Sequence, residues 1–191
     1  MHRIRTLLVL IGVTALAVGV MPAATAGGGC TITGTPGPDV LRGTPDDDVI
    51  CGFAGRDRID GLRGHDVIYG GAGGDTIDGG RGDDLLIGGD GNDYIADGSG
   101  NDRTRGGEGA DYFFGGPGRD VHRGGPGAEL GMLDFEGIDR LIGGPGNDRC
   151  MATWDDAGGD TIDGGLGHDI YFADEGDTVI SGEDSFPCFA E

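Results

Sequence analysis

Ten aspartates stand at strict nine-residue intervals: Asp39, Asp48, Asp57, Asp66, Asp75, Asp84, Asp93, Asp102, Asp111 and Asp120. Most follow a glycine-rich triplet and precede a bulky apolar residue by two places. Such a register does not come from an ordinary globular core, whose periods are those of single helices and strands. It predicts a stack of small, near-identical turns. It also puts one carboxylate at the same point of every turn, so something cationic must sit among them.

Written in nines from Gly34, the chain reads GTPGPDVLR, GTPDDDVIC, GFAGRDRID, GLRGHDVIY, GGAGGDTID, GGRGDDLLI, GGDGNDYIA, DGSGNDRTR, GGEGADYFF, GGPGRDVHR. Glycine dominates slots one, two and four, where a tight turn needs positive φ and close backbone approach. Slots seven to nine are extended, with the middle side chain on one face and its neighbours on the other. That middle slot holds Leu41, Ile50, Ile59, Ile68, Ile77, Leu86, Ile95 and Phe113. One apolar side chain inward per turn gives a thin core between two short parallel sheets. Two turns make one coil, and alternate turns stack.

Composition makes this fold expensive for the free chain. There are 45 glycines, 34 acidic residues, thirteen arginines and no lysine, for a net charge of −21. Those numbers alone would suggest disorder; only the periodicity argues otherwise. Stacking puts Asp39, Asp57, Asp75, Asp93 and Asp111 on one edge, and Asp48, Asp66, Asp84, Asp102 and Asp120 on the other. Neighbours in such a column are about 4.8 Å apart at the backbone. Two bare charges there repel by about 1 kcal/mol in water and roughly 3–4 kcal/mol at an effective dielectric of 20. Over two columns this rivals a domain's whole stability of about 5–15 kcal/mol, so the free chain is predicted to be largely unfolded.

A hard divalent cation reverses the sign. Calcium takes six to eight oxygens in a forgiving geometry and accepts carboxylates and backbone carbonyls. Magnesium demands a tighter octahedron and keeps its waters. Zinc would want histidine or thiolate in register, and neither recurs. The cofactor expected is therefore Ca2+, on the order of eight ions, with folding coupled to binding.

The nines match G-G-x-G-x-D-x-U-x, and over residues 34 to about 181 the chain resembles the repeats-in-toxin (RTX), or haemolysin-type, calcium-binding family. The resemblance implies an all-β, right-handed parallel β-roll (β-helix) solenoid, with each ion shared between loops two repeats apart. The expected metal ligands are the ten register aspartates together with Asp139, Asp148, Asp160 and Asp169. In the family, catalytic or toxic activity resides in accompanying domains, and no stretch here is long enough to be one.

The register falters after Asp120. Glu129 replaces aspartate, one residue is then inserted, and Ala152-Thr153-Trp154 reads as a three-residue insertion before Asp160. Weaker or missing sites are expected around 124–139 and 149–160. Thr104 and His122 occupy the inward slot two repeats apart, hence on one sheet, either as a poorly packed stretch near a bend or as a small polar pocket. Trp154 is expected to cover the end of the stack rather than bind a partner. His2, His65 and His168 show no metal spacing. Asp97, Ser99, Asn101 and Glu108 mimic a helix–loop–helix calcium loop, but Asp102 stands where that loop requires glycine.

The ends carry processing and capping signals. Arg3 and Arg5, the apolar run Leu7 to Val20 and the small residues Ala24-Thr25-Ala26 read as a secretory signal over 1–26, too short for a membrane span. The organisation expected is an N-terminal cap with the first repeats over 27–51, a calcium-binding β-roll over 34–181 and a C-terminal cap tail over 182–191. Four cysteines in a secreted chain imply disulfides. Of three pairings, Cys30–Cys51 with Cys150–Cys188 is favoured because it staples both ends of the array.

Catalytic motifs are lacking: serine occurs only at Ser99, Ser181 and Ser185, with no nucleophile elbow and no H-E-x-x-H. The anionic surface disfavours nucleic acid. The sequence therefore points to a secreted, extracellular, non-enzymatic calcium-binding roll with a structural or interaction role, its partner a cell-envelope component or another copy, and no membrane span after signal cleavage. An adhesin-like ligand binder using Tyr69, Tyr94, Tyr112 and Phe114 is the alternative. A small hydrolase with a site in 129–160 is a third reading.

Overall fold

In the computed structural model, residues 29–153, 159–181 and 184–185 are described. Every regular element among them is a β-strand, and no helix there is long and apolar enough to cross a membrane. The expected secretory signal, Trp154 and most of the cap tail lie outside these residues.

Two nine-stranded parallel sheets face each other. One runs through Ile32–Thr33, Val49–Ala54, Val67–Ala72, Leu85–Asp90, Arg103–Glu108, Val121–Arg123, Arg140–Pro145, Thr161–Leu166 and Thr178–Ser181. The other takes the alternate turns: Val40–Arg42, Arg58–Asp60, Thr76–Arg81, Tyr94–Ser99, Tyr112–Phe114, Gly131–Asp134, Met151–Thr153, Ile170–Phe172 and Asp184–Ser185. Partners are eighteen residues apart in the regular part: Ile50 pairs with Ile68 and Ile68 with Leu86, and Ile59 pairs with Ile77 and Ile77 with Ile95. This is the parallel β-roll that the nine-residue period predicts.

The inward slot makes the core. Ile50, Ile59, Ile68, Ile77, Leu86, Ile95 and Phe113 are buried in one cluster that continues through Met132, Leu141, Met151 and Ile162, with Leu41 partly buried against it. A buried aliphatic side chain contributes about 1.5–3 kcal/mol. With one per turn, this core alone is a modest source of stability.

Glycine serves two different needs. Slots two and four take positive φ in most turns, as at Gly71 (φ 116°) and Gly73 (φ 132°). Phe53 and Leu62 adopt φ 77° and 82° at slot two, a strained choice for residues with a Cβ. Among the described residues slot one has no positive φ. At Gly52 a Cβ would instead collide with the Gly70 carbonyl of the next coil and with the Asp57 carboxylate.

The irregular stretches differ from expectation. Ala152 and Thr153 are not an inserted loop: they pair with Leu133 and Asp134 in Met151–Thr153. An extra residue falls directly after the acid in both odd turns, the only one in the first and one of three in the second. Leu130 is pushed out to 53 % exposure, so Met132 and not Gly131 takes the inward slot. Arg149 is likewise exposed, and Met151 is buried in place of Cys150. A two-stranded sheet of Pro117–Gly118 and Glu136–Gly137 flanks this region.

Cys30 and Cys51 form a disulfide, as favoured. Cys150 is also disulfide-bonded; its expected partner, Cys188, lies outside the described residues.

Candidate metal centre

From Asp57 onward each register aspartate of the regular part ends a glycine-rich turn and reaches back to the coil before it. The Asp39 N–H donates to Asp57 Oδ1 (2.8 Å), Asp57 to Asp75 (2.8 Å), Asp75 to Asp93 (2.7 Å) and Asp93 to Asp111 (2.9 Å). On the other edge Asp48 donates to Asp66 (2.8 Å), Asp66 to Asp84 (2.8 Å), Asp84 to Asp102 (2.7 Å) and Asp102 to Asp120 (2.7 Å). The two columns are those predicted from the sequence.

The second column runs unbroken through the irregular stretches, and the first resumes at Glu129 after a gap, since neither Glu129 oxygen meets the Asp111 N–H. The Asp120 N–H donates to Asp139 Oδ1 (2.7 Å) and Asp139 to Asp160 (2.8 Å); Glu129 donates to Asp148 (3.1 Å) and Asp148 to Asp169 (3.0 Å). Asp139, Asp148, Asp160 and Asp169 thus stand where the sequence placed them. Asp177 was not among the candidates because its turn is one residue short. It nonetheless closes the second column, its Oδ1 accepting the Asp160 N–H at 3.2 Å.

These carboxylates are buried, with Asp57, Asp66, Asp75, Asp84, Asp93, Asp102, Asp111 and Asp120 all 3 % exposed or less. One oxygen of each is satisfied by the backbone. The other, Oδ2, is buried without a hydrogen-bond partner in all eight, and in Asp148; at Glu129 neither side-chain oxygen has one. Buried polar atoms are rarely left so, and each costs about 1–3 kcal/mol or more if charged. A row of unmatched, buried carboxylate oxygens is the kind of donor set a hard cation takes. The residues fit calcium.

The electrostatics agree. Burial pushes Asp84 and Asp93 up to about 7, and the carboxylates above and below each add to the rise. Burial likewise raises Asp102 to about 6 and Asp57, Asp66, Asp75 and Asp111 above their ordinary value. It pushes the Glu129 carboxyl up too, with Asp148 beside it reinforcing the shift.

The first two turns differ. Asp39 Oδ2 accepts from the Thr35 N–H (2.6 Å) and Oγ1 (3.0 Å), and Asp48 Oδ2 from the Thr44 N–H (2.6 Å) and Oγ1 (2.9 Å). Thr31 Oγ1 adds a bond to Asp48 Oδ1. The Thr44 N–H is the main reason that the Asp48 carboxyl is lowered rather than raised. The signal for these caps was in the sequence: slot two is threonine only in the first two nines.

The RTX calcium-binding nonapeptide repeat family matches residues 31–52, 52–86, 87–121, 135–153 and 154–180. The chain belongs to that family. The match lapses over residues 122–134, within the stretch where inward slots and insertions depart from the repeat. No curated protein matches the chain. Membership in a calcium-binding repeat family joins the orphaned carboxylate columns in pointing to a calcium-binding β-roll.

The structure places Thr104 and His122 together on one sheet, as the sequence predicts, and adds two aspartates to them. Thr104 and His122 are neighbours in the first sheet, with Thr104 Oγ1 2.7 Å from His122 Nδ1. His122 Nε2 lies 2.8 Å from Asp134 Oδ2 and 3.5 Å from Asp97 Oδ2. Neither aspartate was a candidate. A signal existed, because Asp97 and Asp134 replace glycine at slot one in DGSGND and DFEGID.

Proposed function

We propose that this is a secreted calcium-binding β-roll whose mature chain folds as ions occupy the two aspartate columns, and whose duty outside the cell is structural or one of interaction rather than catalytic. The single observation that carries the reading is the row of buried Oδ2 atoms without partners in successive turns. Calcium would be held by Asp57, Asp66, Asp75, Asp84, Asp93, Asp102, Asp111 and Asp120, continuing through Asp139, Asp148, Asp160 and Asp169. Asp39 and Asp48 end the columns and offer less, since Thr35 and Thr44 already engage their second oxygens. The secretory reading of residues 1–26 suits this, because a chain kept unfolded where calcium is scarce would fold outside, where modules of this kind work at about 0.1–1 mM dissociation constants. Circular dichroism with and without chelator, joined to equilibrium dialysis, tests it: β-structure and ion uptake should rise together.

One observation favours the adhesin-like alternative. On the second sheet's outer face Tyr94 and Tyr112 stack at 5.4 Å and 5°. Phe114 lies 5.8 Å from Tyr112, and Phe135 5.4 Å from Phe114. Tyr69 stands on the other sheet and does not join them. Such a platform suits a flat apolar or sugar face. Titrating Tyr112→Ala against wild type on the native cell surface separates the readings. A shallow cleft among Pro45, Leu62, Arg63 and Arg81 lies away from 129–160 and does not bear on the hydrolase reading.

A further inference from the structure

His122 and the two slot-one aspartates have no role in the repeat. His122 is 1 % exposed, Asp97 0 %, Asp134 1 % and Thr104 3 %. The slot-one position explains how carboxylates reach the core. At Gly61 and Gly79 an added Cβ would come within 3.2 Å of the inward side chain seven residues on, Ile68 and Leu86. For Asp97 that residue is Thr104, smaller than the isoleucine or leucine of other turns. Asp97 therefore has room to point into the interior, and both it and Asp134 approach the same imidazole nitrogen, Nε2.

Hydrogen bonding alone does not satisfy this cluster while its carboxylates are ionised. If His122 carries its proton on Nδ1, that N–H donates to Thr104 and the bare Nε2 lone pair faces two carboxylates. If the proton is on Nε2, it serves Asp134 at 2.8 Å, and Asp97 Oδ2 stays buried without a partner. Protonating both nitrogens would help, but burial disfavours the imidazolium. Asp120 Oδ2, also without a partner, belongs to the same group: side-chain donor atoms of Asp97, Asp120 and His122 lie within 4.8 Å of one another, as do those of Asp120, Asp134 and Asp139.

We propose that Asp97, Asp120 and His122, with Asp134 at their edge, form a single interior site for a divalent transition-metal cation of the zinc or manganese class, sharing Asp120 with the second calcium column. An imidazole nitrogen among carboxylates selects such ions over calcium, which prefers an all-oxygen set. The 2.8 and 3.5 Å separations from Nε2 bracket the ligand–ligand edge of about 3.0–3.4 Å that bonds of about 2.0–2.1 Å produce. Thr104 on the far ring nitrogen fixes the tautomer and ring plane, as outer partners of metal-bound histidines do. Because the site is closed, the ion enters while the chain folds. The family match lapses from residue 122 to 134, so the feature belongs to this chain rather than to its repeat.

The full chain is folded by excess calcium in the presence of Co2+ or Zn2+, freed of loose ions, and assayed for metal content and for cobalt d–d absorption. Expected is one tightly held equivalent with a nitrogen-ligated cobalt spectrum. His122→Leu restores the aliphatic inward slot and Asp97→Gly restores the slot-one residue, so each should keep calcium-dependent β-structure and lose the equivalent. Thr104→Val should weaken it about 10–100-fold. Uptake no greater in wild type than in Asp97→Gly overturns the proposal. Calcium-dependent circular dichroism, read on the same samples, reports separately on the columns.

Discussion

Asp48 and Asp84 occupy the same slot of the same column, two coils apart, yet are held in opposite ways. Asp48 has three hydrogen bonds from Thr31 and Thr44, and its carboxyl is lowered. Asp84 has one oxygen bonded and one orphaned, and is pushed up to about 7. At the end of the stack the chain supplies its own donors. In the interior it does not, and only a cation completes the turn. The capped end and the needy interior are one motif under two kinds of management.

The largest effect comes from removing calcium. Chelation should abolish most of the β-signal, and hydrogen exchange should show protection lost first across residues 57–120 and last around the disulfide-closed coil at Cys30–Cys51. Uniform protection in chelator would erase the contrast. Next in size, Asp84→Asn and Asp93→Asn should each raise the calcium midpoint several-fold and lower the bound-ion count, while Asp48→Asn leaves the count unchanged; equilibrium dialysis reads all three.

Acid should act on the interior and on the capped end with opposite signs. Asp84, Asp93, Asp102 and Asp120 bind protons more tightly in the metal-free roll than in the unfolded chain, where such carboxyls titrate near 3.8. Their contribution to metal-free stability is present below about pH 4 and drains away as pH climbs through about 6 to 8. Asp48 has the reverse sign, stabilising above its unfolded value and losing that as pH falls through its lowered one. The chelated chain should thus gain β-signal on acidification from pH about 8 to about 4.5. Equal disorder at both would count against buried, mutually repelling columns. Smallest of all, Thr44→Ala should cost about 0.5–1.5 kcal/mol in denaturant melts with calcium present, and no ion.

Most of the fold was legible because the period fixes everything at once: a nine-residue repeat determines which side chain is inward, which turns stack and where Asp57 meets Asp75. The columns followed for the same reason. Legibility failed where contacts cross the period. Asp177 was hidden by a short turn, and Met132 and Met151 took the inward slot only because Leu130 and Arg149 are pushed out. His122 meets Asp97 and Asp134 across sheets at separations that no spacing rule marks, although two aspartates at a glycine slot were a visible oddity.

The backward reach of the register aspartates from Asp57 onward gives the molecule a direction. Asp57 completes the amide of Asp39, and residue 58 donates to the Asp39 carbonyl, so an earlier turn is finished only by the arrival of a later one. A chain made from its N-terminus has a seeded first rung, closed by sulfur and threonine, onto which each newcomer latches. Growth then advances like a ratchet towards the C-terminus, and a missing tooth midway would strand everything beyond it while sparing what came before.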